Sequence, residues 1–336
     1  MRFPSGETLC AAWHYRGTNR ACVIMAGGLA VTKEPGTDLF AKVFNDAGYT
    51  VLAFDYRHMG ESGGHPRQVA RVRDQLADWD AAIACARTLP EVDPTRIAIW
   101  GFSLAGGHIF AVAARHPELA GAIAQTPFAD GPAASRHAFP HTTLRALLRL
   151  GGRGILDMLG GAFGREPLMV PLAGEPGTVA VISSPDGLRG GAALNPANRY
   201  PDWQQQVAAR STLQLGTYRP GRYAAQIQCP LLVVVFDQDG AAPPEPAADA
   251  ARRAPRGELV RLPGGHYEPF LSAHDETAEI EVSFLDRHLF ARGGPQVPVA
   301  ATAPQLPLRD ARPDQEVSHV TRHGASAGHQ DNTLAP

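Results

Sequence analysis

The chain of 336 residues is short of several features that define whole classes of protein. It has four cysteines, Cys10, Cys22, Cys85 and Cys229, far apart and with no C-x-x-C pair, which argues against a zinc site or a disulfide framework. Cys22, Cys85 and Cys229 lie in apolar surroundings and read as buried thiols suited to a reducing compartment. Charge of either sign is not in excess: 31 basic against 33 acidic side chains leave a net −2, which gives no footing for nucleic acid or anionic membrane. No run approaches the ~20 apolar residues of a membrane span. The start, MRFPSGETLCAAWHY, lacks the basic region and apolar run of a signal peptide, so a cytoplasmic protein is expected. There is no internal repeat. No G-x-x-x-x-G-K occurs, and no G-x-G-x-x-G follows a strand, so a phosphate cradle is excluded.

What is present is apolar material in short, regular pieces. With 44% hydrophobic residues and 19% charged, the chain can bury a sizeable core, as one large domain with an insertion or as two. Strands are expected at 21–26, 50–56, 96–102 and 121–128, separated by helices at 38–49, 73–89 and 104–116. In the first helix Leu39, Phe40, Val43 and Phe44 share a face; in the second Leu76, Trp79, Ile83 and Ala86 do. Strands alternating with crossover helices predict a doubly wound, mostly parallel sheet, the α/β class. Near-continuous apolar strands fit a sheet covered on both faces.

The pattern breaks at 131–222, which reads as an inserted, largely helical cap. It holds a helix over 142–161 interrupted at Gly151-Gly152 and another over 201–215. Strands return at 229–240 and 257–265, with helices at 244–253 and 277–290. The expected organisation is therefore core 1–130, cap 131–222, core 223–291, and a Pro-, Ala-, Gly- and His-rich tail 292–336 that reads as disordered.

One hydroxyl stands out. Gly101-Phe102-Ser103-Leu104-Ala105 lies between a predicted strand and a predicted helix, at the edge where parallel sheets carry their sites. A sharp turn there forces its central residue into a strained conformation that only small neighbours tolerate, and Gly101 and Ala105 are small. Ser103 would project alone at a helix N-terminus, where dipole and free N–H groups favour negative charge. The competing reading is that Ser103 merely caps the helix.

At these residues the chain resembles the α/β-hydrolase superfamily, whose nucleophile elbow is G-x-S-x-G, here with Ala in the last place. The resemblance implies a base and an orienting acid in the order Ser, acid, His. His266, in LPGGHYEPF after the last predicted strand, has the right place; His108, five residues past Ser103, reads as packed, and His58, His65, His137 and His141 as loop or cap residues within reach of a substrate. FDQDGAAPP resembles G-x-x-D-x-x-x-P with Phe236 where Gly is usual, which registers Asp239 as the acid and leaves Asp237 as a turn residue. Asp130, after the preceding strand, is the alternative acid. An oxyanion hole needs two backbone donors; Leu104 N–H is one. The other is Leu29 N–H, in Gly27-Gly28-Leu29-Ala30-Val31-Thr32-Lys33-Glu34, which resembles H-G-x-G-G-T-K-E with Gly27 for His and Ala30 and Val31 for two glycines. FDYRHMGESGG resembles D-x-R-G-x-G-x-S with His58 for Gly; Asp55, Arg57 and Ser62 there are expected to form an ion pair and turn that hold the oxyanion loop.

The resemblance spans roughly 10–130 and 223–291 and is nearest to cap-bearing bacterial serine esterases and prolyl-peptidase-like hydrolases. It implies a serine hydrolase acting on an ester through an acyl-enzyme, with Ser103, His266 and Asp239 as triad, a small acyl substrate, and neither metal nor organic cofactor. A homodimer stays open. Peptidase or amidase, thioesterase and carbon–carbon hydrolase chemistry use the same triad; a non-catalytic ligand-binding protein of this fold, or an interaction protein using the tail, is the reading outside enzymes. The Leu, Met and Phe content of the cap implies an apolar acyl or alcohol portion.

Overall fold

The computed structural model describes residues 1–290; the tail expected at 292–336 lies outside them. An N-terminal hairpin, β1 (Arg2–Ser5) and β2 (Thr8–Tyr15), leads into β3 (Cys22–Ala26), α1 (Thr37–Asp46), β4 (Thr50–Phe54), α2 (Val72–Ala86), β5 (Ile97–Phe102), α3 (Leu104–Ala113) and β6 (Gly121–Gln125). Next come α4 (Gly131–Ala138), α5 (Leu144–Ala162), β7 (Met169–Pro171), α6 (Pro185–Leu194), β8 (Gln206–Ala208) and α7 (Ala209–Thr212). The chain then adds β9 (Leu231–Phe236), α8 (Pro244–Arg253), β10 (Gly257–Leu262) and α9 (His274–Leu289).

Eight strands form one sheet in the order β1-β2-β4-β3-β5-β6-β9-β10. From β4 to β10 every pairing is parallel, and only β1 and β2 run antiparallel to their neighbours. The five central strands β3, β4, β5, β6 and β9 are buried at every position, which is why they read as unbroken apolar runs. Side chains alternate between two cores. Ile24 and Ile99 pack with Trp79, Ile83, Ile109 and Phe110 beneath α2 and α3. Val23 and Trp100 pack with Phe40, Phe44, Phe284 and Leu285 beneath α1 and α9. Chain order reverses at β3, which has β4 on one side and β5 on the other. That reversal opens a crevice at the carboxyl ends of β3 and β5.

The structure departs from expectation in particular places. The hairpin β1–β2 was not foreseen; its short strand β1 edges the sheet and β2 pairs with β4. α5 runs unbroken through Gly151-Gly152. Each glycine costs about 1 kcal/mol in a helix, yet Thr143 Oγ1 caps the helix by accepting Ala146 N–H. Asp157 ties it to α7 through a two-point ion pair with Arg210. The segment 201–215 is not a helix: Val207 and Ala208 pair with Val170 and Met169, and only Ala209–Thr212 is α-helical. Gln68 stitches this insert to the core, its carbonyl accepting Ala208 N–H and its side-chain amide donating to Gln206 C=O. α4 and α6 carried no sequence signal. Among the thiols Cys10, not Cys85, completes the buried set with Cys22 and Cys229; Cys85 is half-buried. All four are free, and burial pushes Cys10 and Cys229 up to about 12.

His108 is packed, as expected. Its Nδ1 accepts from Tyr218 O–H at 2.8 Å and its Nε2–H donates to Gln75 Oε1 at 3.0 Å. Complete burial lowers its pKa from the model-compound value of 6.5 to about 3. The unfolded chain therefore takes up a proton below about pH 6.5 that the folded protein refuses until about pH 3, at about 1.4 kcal/mol per pH unit. Stability is present above pH 6.5 and is lost as pH falls. The melting temperature is expected to drop from pH 7 to pH 5, and more steeply in the wild type than in His108→Gln. Equal slopes in thermal melts would remove His108 from the acid response.

Candidate active site

Ser103 sits between β5 and α3 with φ 57° and ψ −116°. A non-glycine residue in this region is strained, at a cost on the order of 1–3 kcal/mol. Its surroundings fix it there: Ser103 N–H donates to Gln125 C=O, and Ser103 C=O accepts from both Gly107 N–H and Phe128 N–H. A Cβ at Gly101 would lie 2.6 Å from the Ala105 carbonyl, and one at Gly107 would lie 2.3 Å from Phe128 O. The small residues around the serine thus answer to close backbone approach on both sides of the turn. Ser103 stands at the N-cap position but makes no side-chain cap bond. Its hydroxyl is turned to His266 instead.

The three residues expected from β5, β9 and β10 meet. His266 Nε2 lies 2.9 Å from Ser103 Oγ, and His266 Nδ1 lies 2.7 Å from Asp239 Oδ2. With the Asp239 carboxylate as acceptor, the proton sits on Nδ1 and the Nε2 lone pair faces the serine O–H. Asp239 is fixed through its other oxygen, which accepts Ala241 N–H at 2.9 Å and Ala242 N–H at 2.7 Å. The imidazole is 1% exposed and wedged between Phe102 and Tyr267, with ring centroids 5.1 and 4.9 Å away. Asp130 is not brought to His266. It caps α4, accepting Ala133 N–H, and pairs with Arg219. Asp237 is half exposed and pairs with Arg261.

The loop 27–34 runs alongside. A Cβ at Gly28 would lie 3.4 Å from Ser103 Oγ, so this backbone abuts the hydroxyl, and Leu29 lines the cavity beside it. Leu104 opens α3, where an N–H has no intrahelical partner. Two departures from the family pattern are accommodated without glycine. Ala30 keeps φ 51° and His58 keeps φ 68°, each at a cost of about 1–2 kcal/mol. The ion pair that holds the loop differs from expectation. Asp55 does not pair with Arg57: its Oδ1 accepts Lys33 N–H at 2.7 Å, and its Oδ2 lies 3.1 Å from Lys33 Nζ. Arg57 pairs with Asp78 and reaches Ser5. Ser62 donates to Asp55 C=O, as a turn residue should.

The carboxylates of Glu34, Asp55 and Glu61 lie within 4.8 Å of one another. The buried Lys33 ammonium contacts all three, so the cluster carries its own cation. Burial alone would lower the Lys33 pKa; the three carboxylates outweigh it and hold Lys33 above its ordinary value.

Sequence reasoning missed two residues, both from the insert. Trp203 Nε1–H donates to Ala30 C=O at 2.8 Å, tying down the strained residue of the 27–34 loop. Asp186, in the first turn of α6, accepts His266 N–H at 2.5 Å and Gly240 N–H at 3.3 Å, bridging the loops that carry His266 and Asp239. Trp203 fell in the stretch 201–215 read as a helix and Asp186 outside any motif, so neither was marked as reaching the centre; the Ser184-Pro185 helix start was the one signal near Asp186.

Trp203 also parts two cavities. The inner one, about 50 Å³, holds Ser103 under Leu172, Val181, Ile182 and Leu194. The outer one, about 610 Å³, mixes apolar walls from Met169, Pro201 and Trp203 with the charged Glu34, Glu61 and Arg67. His58, His65, His137 and His141 line neither. The apolar side chains on the outer face of α5 line neither either: Leu148, Ile155, Met158 and Phe163 are at least half exposed. Among the described residues no helix is long and apolar enough to cross a membrane.

The chain is 38% identical over 292 residues to the quorum-quenching protein AidA of Acinetobacter baumannii, covering 85% of this chain and 94% of that one. It is 26% identical over 281 residues to the thiohydrolase aneE of Aspergillus aculeatus, covering 80% and 85%. The crystal structure of the alpha/beta hydrolase GrgF from a Penicillium species superposes with a TM-score of 0.72 at 23% identity, covering 86% of this chain and 98% of that one. A sequence model described as the alpha/beta hydrolase family matches residues 35–280. With the parallel sheet and the Ser103 turn, these matches make the chain a member of the alpha/beta hydrolase family.

Proposed function

We propose that the protein is a serine hydrolase that cleaves small carboxylic esters through an acyl-enzyme. The observation that carries this reading is the unbroken line from Ser103 Oγ through His266 to Asp239, at 2.9 and 2.7 Å. Ser103 Oγ attacks the acyl carbonyl while His266 Nε2 takes its proton. The amides of Leu29 and Leu104 hold the oxyanion. His266 then gives the proton to the leaving alcohol, and the C–O bond breaks. Water, deprotonated by His266, attacks the acyl-serine; the acid leaves and Ser103 recovers its proton. Asp239 holds the imidazole in the required tautomer and balances its transient charge. The four free thiols fit a reducing cytoplasm.

The inner cavity sets the acyl size. At about 50 Å³ the cavity is small, which favours short acyl chains. The larger outer cavity has room for the leaving group. The likeness to a quorum-quenching protein supports a diffusible small molecule as substrate. The thiohydrolase relatives favour a second reading, a thioester cleaved by the same steps.

A fluorophosphonate probe is expected to label wild type and not Ser103→Ala; a folded wild type that resists labelling would sink the enzyme reading. On p-nitrophenyl esters kcat/KM should peak at two to four acyl carbons and fall beyond, on the order of tenfold per few methylenes. Acyl thioesters turned over faster than matched esters would select the second reading, and faster aminoacyl-anilides would select a peptidase.

Two further variants test how the insert positions the centre. Trp203→Phe keeps the wall between the cavities but loses the bond to Ala30; it should lower kcat by roughly tenfold with KM unchanged, less than the ~100-fold for losing an oxyanion donor. Trp203→Ala should in addition admit longer acyl chains. Asp186→Ala frees the His266 and Gly240 amides and should lower kcat roughly 10- to 100-fold, while Asp186→Asn, whose amide oxygen still accepts, should recover most of it. A fall confined to KM in either series would remove the positioning role.

A further inference from the structure

The inner face of α5 is fully used. Ala146, Gly154 and Asp157 are buried, a Cβ at Gly154 would meet Leu213, and Asp157 pairs with Arg210 of α7. Its outer face is apolar and exposed. Leu144 is 67% exposed, Leu148 68%, Ile155 50%, Leu159 53% and Phe163 83%, with Leu156 and Met158 also more than half exposed. Together these side chains present on the order of 900 Å² of apolar surface, above the ~300–600 Å² of the largest patch on a typical monomer. The amount is close to the ~800 Å² that each partner buries in a stable interface.

The pattern on this face has a symmetry. Gly151 and Gly152 lie in its middle, and nothing among the described residues stands within 4 Å of where their Cβ atoms would be. Leu148 and Ile155 stand at equal distances on either side of the Gly151–Gly152 midpoint. Leu144 and Leu159 stand at equal distances one turn further out. Reversing the helix end for end about that midpoint lays Leu144 on Leu159, Leu148 on Ile155 and the glycine pair on itself, while Met158 falls on Arg145 and Phe163 has no counterpart in the helix. A surface that a twofold axis maps onto itself is what an isologous interface requires. A lipid surface or an unrelated partner would impose no such match between the two ends of the helix.

We propose that α5 is the dimer interface of this protein. Two copies pack their α5 helices antiparallel across a twofold axis at Gly151-Gly152, where the missing side chains let the backbones approach. Leu144 and Leu148 of each copy pack against Leu159 and Ile155 of the other. Arg145, Arg149 and Arg153 lie off this stripe, and their charges stay in solvent at its margin.

Light scattering on the full chain at micromolar concentration should give twice the 35.8 kDa chain mass. Leu148→Glu and Ile155→Glu should halve that mass and leave the circular dichroism unchanged, because both side chains are exposed in the single chain. A mixture of Leu148→Cys and Ile155→Cys should cross-link across the axis on mild oxidation. Leu144→Cys alone should not, whereas a mixture of Leu144→Cys and Leu159→Cys should. A monomeric wild type overturns the proposal, including one that floats with phosphatidylglycerol vesicles. So does a dimer that survives both glutamate variants or fails to cross-link in the cysteine mixtures.

Discussion

One strained residue organises the centre. Ser103 occupies left-handed backbone that a residue with a side chain avoids, and three backbone hydrogen bonds hold it there. The bonds come from β6 and its following loop and from α3, so the turn is fixed only where the sheet and α3 are already packed. Gly101 and Gly107 are where that packing brings backbone to within van der Waals contact. The serine hydroxyl then cannot cap α3 as its position would allow. It points over the sheet edge, where loops from β3, β9 and β10 converge. Chain reversal at β3 places the 27–34 loop against the hydroxyl, and the parallel run β5-β6-β9-β10 delivers Asp239 and His266 to the same edge.

The insert does more than cover this centre. Two of its side chains reach the backbone of the loops beneath it, Trp203 at Ala30 and Asp186 at His266 and Gly240. Both meet a need created by the core. Ala30 stands where the family has glycine and is held in left-handed backbone, and the indole bond offsets part of that cost. The His266 loop bends through Gly264, at φ 119°, and Asp186 braces the residue that follows the turn. Ser103, His266 and Asp239 all come from the core, and the insert bonds to two of the loops around them.

The parts legible in the sequence were those set by periodicity and by position relative to strands. Five buried strands read correctly because both faces are covered and nearly every residue is apolar, Thr50 and Gln125 aside. Ser103 and Asp239 were found because each follows such a strand, and His266 because it follows the last strand, the partly exposed β10. The insert was opaque for the opposite reason. Its contacts are single hydrogen bonds from residues such as Trp203 and Asp186, which no repeat marks. Val207 and Ala208 fall in a stretch that reads as helical, yet pairing with β7 draws them into a strand. The Lys33–Asp55 pair was misread because Arg57 lies nearer in sequence. In space Arg57 turns to Asp78 of α2, and Lys33 lies over the Asp55 carboxylate.

The apolar residues of the insert divide by where they point. Leu172, Val181, Ile182 and Leu194 close a cavity of about 50 Å³ around Ser103, too small to account for the hydrophobic content of the whole segment. The remainder is concentrated on α5, whose inner face is satisfied by α7 and by the Asp157–Arg210 pair. A surface helix held only by packing would carry polar residues outward. Here leucines and an isoleucine face outward at positions matched about a glycine pair, in a helix that tolerates two adjacent glycines at about 1 kcal/mol each. Alanine at both positions would strengthen the helix and would meet no obstacle among the described residues, where the space above them is open. A second α5 crossing at this midpoint, as proposed, would supply the close backbone approach that keeps them small.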